Sequence, residues 1–323
     1  EGVDVEKLMA VEEKPIASRV ASGNALNLLK DMVPSLFGGS ADLGPSNNSI
    51  LKDAGWFSPE DRAGRNIHFG IREFAMAAMC NGMALHGGIR PFCATFFVFS
   101  DYMRNAIRLS ALMQTNVIYV LTHDSISVGE DGPTHEPIEQ LASFRAMPGC
   151  PTFRPADARE TAASYVYALG NPGPTLLALS RTNLPLLEGT GLEAAKGGYV
   201  IQDCDDTPDV ILIGTGSEVQ LCVEAAKALA ADGKKVRVVS MPSMELFLRQ
   251  GAAYRDAVLP PSVKARVAVE AGSSFGWREV IGDAGETVCI DHFGASAPGA
   301  ELFKQFGFTV ENIVAKANAS MAK

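Results

Sequence analysis

Short apolar runs alternate with segments of helical period along this chain, and that alternation restricts the fold more than any single residue does. From Pro15 to about Arg181, strands are predicted at Ser35–Phe37, Asn116–Leu121, Thr152–Arg154 and Thr175–Ser180. Helices are predicted at Ala17–Met32, Arg72–Leu85, Tyr102–Met113, Ile138–Met147 and Arg159–Leu169. Strands separated by helices imply crossover units and a mostly parallel sheet covered on both faces, so its strands are apolar on both sides. The stretch Leu184–Gly198 has no strong period and carries four glycines, so it reads as a linker. A second series follows, with strands expected at Val210–Ile213, Val236–Ser240, Arg266–Glu270 and Val288–Ile290, and helices at Glu218–Ala231 and Thr309–Ala319. The expected fold class is α/β: two tandem domains, residues 1–183 and 199–323, joined by residues 184–198, the second domain being the smaller.

Composition narrows the function. A net charge of -9 and a pI near 5.1 argue against a surface built for nucleic acid or an anionic membrane, so any anionic substrate must meet a local cluster of positive charge. Six cysteines without a C-x-x-C pair fit neither a zinc ribbon nor a disulfide framework and suggest a reducing compartment. No apolar run approaches the roughly 18 residues of a membrane span, and the opening residues lack a signal-peptide core. The chain begins EGVDVEKL without an initiator methionine, so a processed product or a piece of something longer is considered.

Residues 122–135 read THDSISVGEDGPTH and contain two of the five histidines, His123 and His135. The loop follows the run NVIYVL, and ligands of open α/β sheets collect beyond the carboxyl ends of strands. Its residues suit a surface turn whose histidines cap backbone groups, or a binding loop. A metal site is a weaker fit, because no ligand pair has the helical spacing of H-E-x-x-H. In NIHFGIREFAMAAM, Glu73 stands at the mouth of an apolar helix, where the dipole alone would favour a carboxylate. Phe96, Phe99 and Tyr102 recur at three-residue spacing, as core residues or as an aromatic wall. Asp42 and Ser46 lie in the post-strand loop GGSADLGPSN.

The second domain holds two partial motifs. GTGSEV follows a strand, but Val219 stands where a dinucleotide fingerprint needs its third glycine. Gly272, Ser274 and Gly276 match G-x-S-x-G, with Asp283 and His292 following in hydrolase order, so a serine nucleophile is a rival reading. Asp283 and His292 follow too closely for much sheet to form between them.

GGSADLGPSN, FGIREFAMAAMCNG, CATFFVFSDYMRNAIRLSAL, THDSISVGEDGPTHEPIEQLASFRAMP, FRPAD and LSRTNLP, with GTGSEV and DHFGAS beyond them, together resemble transketolase, most closely the plant and algal plastid type. The likeness covers essentially the whole chain but only the back half of a transketolase. It implies a pyrimidine-binding domain and a carboxyl-terminal domain, without the domain that holds the diphosphate of thiamine diphosphate through Mg2+ or Ca2+. The implied activity is reversible transfer of a two-carbon ketol unit between phosphorylated sugars, in a homodimer of the chloroplast stroma or the cytoplasm. Glu73 resembles the acid that hydrogen-bonds N1′ of the aminopyrimidine, and shelter among apolar side chains would favour its proton-sharing form. Phe96, Phe99 and Tyr102 resemble the aromatic wall, and Asp42 an acid beside the cofactor. His135 resembles the proton shuttle for the donor hydroxyl. Arg19, Ser46, His123 and Arg181 resemble the sugar-phosphate contacts, and Asp131 the residue that selects hydroxyl configuration. On this likeness no metal ligand lies in the chain itself, and it is expected to be inactive without the missing domain. The β subunit of a thiamine-dependent 2-oxo-acid dehydrogenase component shares this plan and is the enzymatic alternative. A cofactor-incompetent interaction module is the alternative from another class.

Overall fold

The structure, a computed structural model, describes residues 2–323. Its strands in chain order are β1 (Ile16–Ala17), β2 (Leu36–Ser40), β3 (Asn66–His68), β4 (Arg90–Phe96), β5 (Ile118–Thr122), β6 (Thr152–Phe153), β7 (Thr175–Leu179), β8 (Asn183–Leu184), β9 (Tyr199–Gln202), β10 (Val210–Gly214), β11 (Val236–Ser240), β12 (Arg266–Val269) and β13 (Glu286–Val288). A six-stranded sheet has the order β3-β2-β4-β5-β7-β6, and every neighbouring pair is parallel. A five-stranded sheet has the order β13-β12-β10-β11-β9 and is parallel except where β9 pairs antiparallel with β11.

The central strands are buried on both faces. All of Ile118–Thr122, Thr175–Leu179 and Val210–Gly214 are removed from solvent, as helices on both sides require. One face of the first sheet packs Phe97, Ile107, Tyr119 and Phe144, and the other packs Leu26, Leu29, Phe92 and Tyr165. Ile126, Ile138 and Ala163 of the first domain share a cluster with Val210, Leu212 and Val267 of the second sheet, so one apolar core runs across the domain boundary. Capping is local and legible: Asp157 Oδ1 accepts from the Glu160 N–H at 2.9 Å at the start of the Ala158–Gly170 helix.

The linker region is tied down. Asn183 and Leu184 form β8, which pairs antiparallel with β1. Asp157 Oδ2 accepts from Leu187 N at 3.0 Å and from Thr190 Oγ1 at 2.6 Å. Charges cross the boundary as well. Arg145 reaches Glu270 with both Nη atoms, at 2.7 and 2.6 Å, and Trp277 Nε1 donates to the same carboxylate at 3.1 Å.

Several elements were not expected from the sequence. Strand β4 begins Arg90-Pro91 and ends in an aromatic stripe, which hides its extended character. Strand β3 is a three-residue edge strand of polar character, and edge strands carry weak patterning. The last strand lies at Glu286–Val288 rather than Val288–Ile290, because Ile290 turns back to bond Gly272.

Gly38 lies on β2 against β4, and a methyl group there would overlap the Phe92 carbonyl oxygen. Gly38→Ala is expected to cost at least about 2 kcal/mol of stability through overpacking. Urea unfolding checks this, and an unchanged midpoint would refute the close approach.

Candidate functional site

The parallel sheet places five loop origins along one edge. Beyond β2 lie Asp42 and Ser46, beyond β3 Glu73, beyond β4 Phe99 and Tyr102, beyond β5 His123, Asp131 and His135, and beyond β7 Arg181. Arg19 joins them from the first turn of the Ser18–Met32 helix. That helix is pinned to the end of β7 by Ser18 and Ser180: Ser180 N donates to Ser18 Oγ at 2.7 Å, and Arg19 N donates to Ser180 O at 3.3 Å. Arg19 and Arg181 are thereby brought to the same corner from opposite ends of the domain.

A cleft of about 450 Å³ is lined by Ala41, Asp42, Leu43, Ile71, Glu73, Phe99 and Tyr102. Glu73 opens the Glu73–His86 helix, and its carboxylate makes no hydrogen bond among the described residues. It is half-buried rather than enclosed, because its apolar neighbours Ile71 and Phe74 are themselves exposed. Asp42 sits in the left-handed region at φ 67°, a conformation uncommon for a residue with a Cβ and concentrated at functional sites. Phe99 and Tyr102 face the cleft with ring centroids 6.2 Å apart. Phe96 does not line it. Its ring lies behind, 5.9 Å from Phe99 and 3.6 Å from His123, so it supports both.

The neighbouring corner is cationic. Arg19 Nη1 donates to Ser46 O at 2.6 Å and Arg181 Nη1 donates to Val128 O at 2.6 Å, so Ser46 enters through its carbonyl. Neither arginine forms an ion pair among the described residues. Burial first, and then the charge of Arg181, lower the Arg19 pKa, and Arg19 Nε is buried without a partner. Two guanidinium groups that repel each other and lack a carboxylate make a site that an anion would relieve.

His123 is 3% exposed and also left-handed, at φ 61°. Its Nδ1 lies 2.8 Å from Thr122 Oγ1, which donates to Asn47 Oδ1 at 2.6 Å; Asn47 Nδ2 in turn donates to Ser40 Oγ at 2.9 Å. This buried chain fixes the ring between β2 and β5. Burial, then Arg19 and Arg181, push the His123 pKa down to about 3, so the imidazole is neutral at pH 7. His135 is half-buried, with its ring edge-on to Phe99 at 5.4 Å and Nδ1 2.9 Å from Thr134 Oγ1. Asp131 is exposed at the end of the Ile126–Asp131 turn.

The serine-nucleophile alternative has no geometry behind it. Ser274 Oγ donates to Asp291 Oδ2 at 2.7 Å, while His292 Nδ1 lies 2.8 Å from the carbonyl of Phe293. In GTGSEV, Gly216 lies against the Arg154 guanidinium, so a protein side chain fills the space above that loop. Arg154, Asp124 and Glu218 escaped the sequence reading. Their one signal was an arginine, in FRPAD, between apolar strands.

Residues 14–186 match the family profile described as transketolase, pyrimidine binding domain, and residues 197–309 match the transketolase-like C-terminal domain. The chain belongs to the transketolase family. It is 55% identical over 311 residues to the transketolase of Halalkalibacterium halodurans, covering 95% of this chain and 47% of that protein. To the chloroplastic transketolase of Solanum tuberosum it is 55% identical, covering 93% and 41%. A Pichia stipitis transketolase mutant structure in complex with xylulose 5-phosphate superposes with a TM-score of 0.95 at 41% identity, covering 99% of this chain and 48% of that one. The chain thus spans about half the length of these transketolases. A split-gene transketolase, solved as an inactive β4 tetramer, superposes with a TM-score of 0.74 at 27% identity and is covered over 99% of its own length.

The neutral buried His123 has a pH signature. Its folded pKa lies below its ordinary 6.5, so the unfolded chain takes up the proton first. The associated stability is whole above pH 6.5 and is lost as pH falls from there towards 3. Between pH 7 and pH 5 the wild type is expected to lose about 2 kcal/mol more than His123→Asn, a residue that tolerates the left-handed backbone. Urea unfolding of both proteins at the two pH values measures this, and parallel losses would refute it.

Proposed function

We propose that this chain supplies the pyrimidine-side half of a transketolase active site. The reaction is reversible transfer of a two-carbon ketol unit from a ketose phosphate, such as xylulose 5-phosphate, to an aldose phosphate. The observation that carries this reading is one sheet edge bearing two adjacent features: an unpaired acid in an aromatic-lined cleft, and an uncompensated arginine pair. Thiamine diphosphate fits the first, since a flat aminopyrimidine suits the faces of Phe99 and Tyr102 and Glu73 has its carboxyl free for a ring nitrogen. When bound, it supplies the nucleophilic carbon that cleaves and remakes the bond beside the ketose carbonyl.

The chain's own residues then have distinct tasks. Glu73 holds a hydrogen bond to N1′ of the aminopyrimidine, and Asp42 borders the same cleft. Phe99 and Tyr102 exclude water, and Phe96 keeps Phe99 and His123 in register. Arg19, Arg181, Ser46 and His123 receive the sugar phosphate, Asp131 binds a sugar hydroxyl, and His135 moves a proton at the donor hydroxyl. Mg2+ or Ca2+ would be held by a diphosphate-binding domain, as the family likeness implies. A 2-oxo-acid dehydrogenase subunit has less support, because a 2-oxo acid does not need the arginine pair. The family's homodimer has a ready surface here: Phe74, Met79 and Leu85 on one helix and Tyr102, Leu109 and Leu112 on the next are exposed. The chloroplast stroma, with the cytoplasm as alternative, rests on likeness to chloroplastic relatives. Among the described residues, no helix is long and apolar enough to cross a membrane.

The chain alone is expected to be inactive and to gain ketol transfer when the diphosphate-binding half is added. In that assembly Glu73→Gln is expected to lower kcat by at least about 100-fold, the scale of lost acid–base assistance, while the enzyme still binds thiamine diphosphate. Near-normal turnover would refute the assignment. Asp131→Ala is expected to damage use of ketose phosphates far more than use of hydroxypyruvate, and equal loss on both donors would remove its role in hydroxyl selection.

A further inference from the structure

The loop that bears His123, Asp131 and His135 is held by a few internal hydrogen bonds, among them Gly132 N to Gly129 O and His135 N to Gly132 O, both at 2.9 Å, and by contacts from outside it. It has short helical turns and left-handed positions at His123, Gly129 and Gly132. Part of its support comes from the second domain, directly at Ser296 and, through Arg154, at Asp124. Asp124, next to the strained His123, is buried, and its carboxylate is held through Oδ2 by Arg154 Nε at 2.8 Å, with Oδ1 lacking any partner. Arg154, itself fully buried, spends its remaining donors across the boundary. Nη1 donates to Thr215 O and Thr215 Oγ1, both at 2.9 Å, and to Glu218; Nη2 donates to Glu218 Oε1 at 3.3 Å and to Ser217 Oγ at 3.4 Å. Burial alone would lower the Arg154 pKa, but Glu218 and Asp124 outweigh it, so the guanidinium stays charged.

Gly216 makes room for this contact. It is left-handed at φ 53°, and a Cβ there would lie 2.7 Å from the Arg154 guanidinium carbon. In an α/β domain the loop after such a strand is where ligands gather. Here that socket, beyond β10, receives a cation from the first domain. The far end of the loop has a second support. Ser296 Oγ donates to Glu130 O at 2.6 Å, and Ser296 Cβ and Gly299 N stand 3.2 and 3.3 Å from where side chains on Gly132 and Gly129 would begin.

We propose that the carboxyl-terminal domain is the rigid backing of the sugar-phosphate loop, with Arg154, Gly216 and Ser296 as positioning residues that act through Asp124 and His123 and through the turn carrying Asp131. The proposal rests on the reading of this loop as the phosphorylated-sugar site. A binding group must be held to within a fraction of an ångström, and that precision comes from the residues behind it.

The test uses the assembled enzyme with a phosphorylated ketose and with hydroxypyruvate as donors. Ser296→Ala, a change at an exposed side chain, is expected to raise KM for the ketose phosphate about threefold, the scale of one lost hydrogen bond. Gly216→Ala is expected to raise it about tenfold or more, because the guanidinium must shift. For both, kcat on hydroxypyruvate and the affinity for thiamine diphosphate should stay at wild-type values. Arg181→Ala serves as reference and must raise the ketose-phosphate KM. If it does and Ser296→Ala does not, the backing role is overturned whatever happens to Gly216→Ala. If Ser296→Ala lowers turnover on both donors equally, the contact is merely structural and the proposal also fails. If Arg181→Ala leaves KM unchanged, the phosphate reading itself falls, and the proposal with it.

Discussion

Every strand of the six-stranded sheet runs in the same direction, and the site depends on that constraint. Parallel pairing forces each connection to cross back over the sheet, so all carboxyl ends lie along one edge. Asp42, Glu73, Phe99, His123 and Arg181 are far apart in sequence, yet each occupies the first or second turn beyond its strand. No side chain needs an unusual reach to join the group. The short pairing of β1 with β8 adds Arg19 in the same way, since it fastens the Ser18–Met32 helix beside the end of β7.

Electrostatics then divides the edge in two. At one end, a carboxyl group without a protein hydrogen bond faces aromatic rings. At the other, two arginines and two histidines crowd together with no ion-pair partner among the described residues, in a chain whose net charge is -9. The imidazole between the arginines yields first: His123 gives up its proton, because a third positive charge in a buried corner costs more than a neutral ring. What survives is a focused positive potential in an acidic protein, the property that an anionic sugar ester would require.

Legibility in the sequence followed locality. Runs of β-branched residues such as Ile118–Thr122 declare a buried strand by themselves, and Asp157 announces the helix it caps. The loop residues of the site were legible because their types are chemically unusual in such loops and because their motifs match a known family. Strand β4 was hidden by Arg90-Pro91 and by aromatic residues that serve the core and the cleft at once. The contact between Arg154 and Glu218 was not legible, since neither residue carries a local pattern and each is explained only by the other across a domain boundary. Phe96 shows the limit of spacing: it shares a three-residue period with Phe99 and Tyr102, but the strand ends there and turns its ring inward to support His123.

The distribution of satisfied and unsatisfied groups gives the chain a direction. On the side facing the second domain, charges are buried and paired: Arg145 with Glu270, and Arg154 with Asp124 and Glu218. Removing one member of such a pair leaves a buried charge uncompensated, at about 3–5 kcal/mol, so that side behaves as one rigid unit. Away from those pairs, the Glu73 carboxylate has no hydrogen-bond partner among the described residues, and Ile71, Phe74, Tyr102 and Leu112 stand exposed on adjacent turns and helices. Soluble chains rarely leave large contiguous apolar surface uncovered unless another surface meets it. Glu73 lies within this open face rather than behind it. Under the proposed reading, a diphosphate-binding domain and a second copy of the chain meeting the open face would bury Glu73 and raise the strength of every charge interaction around it, while the buried ion pairs hold the His123–His135 loop in place.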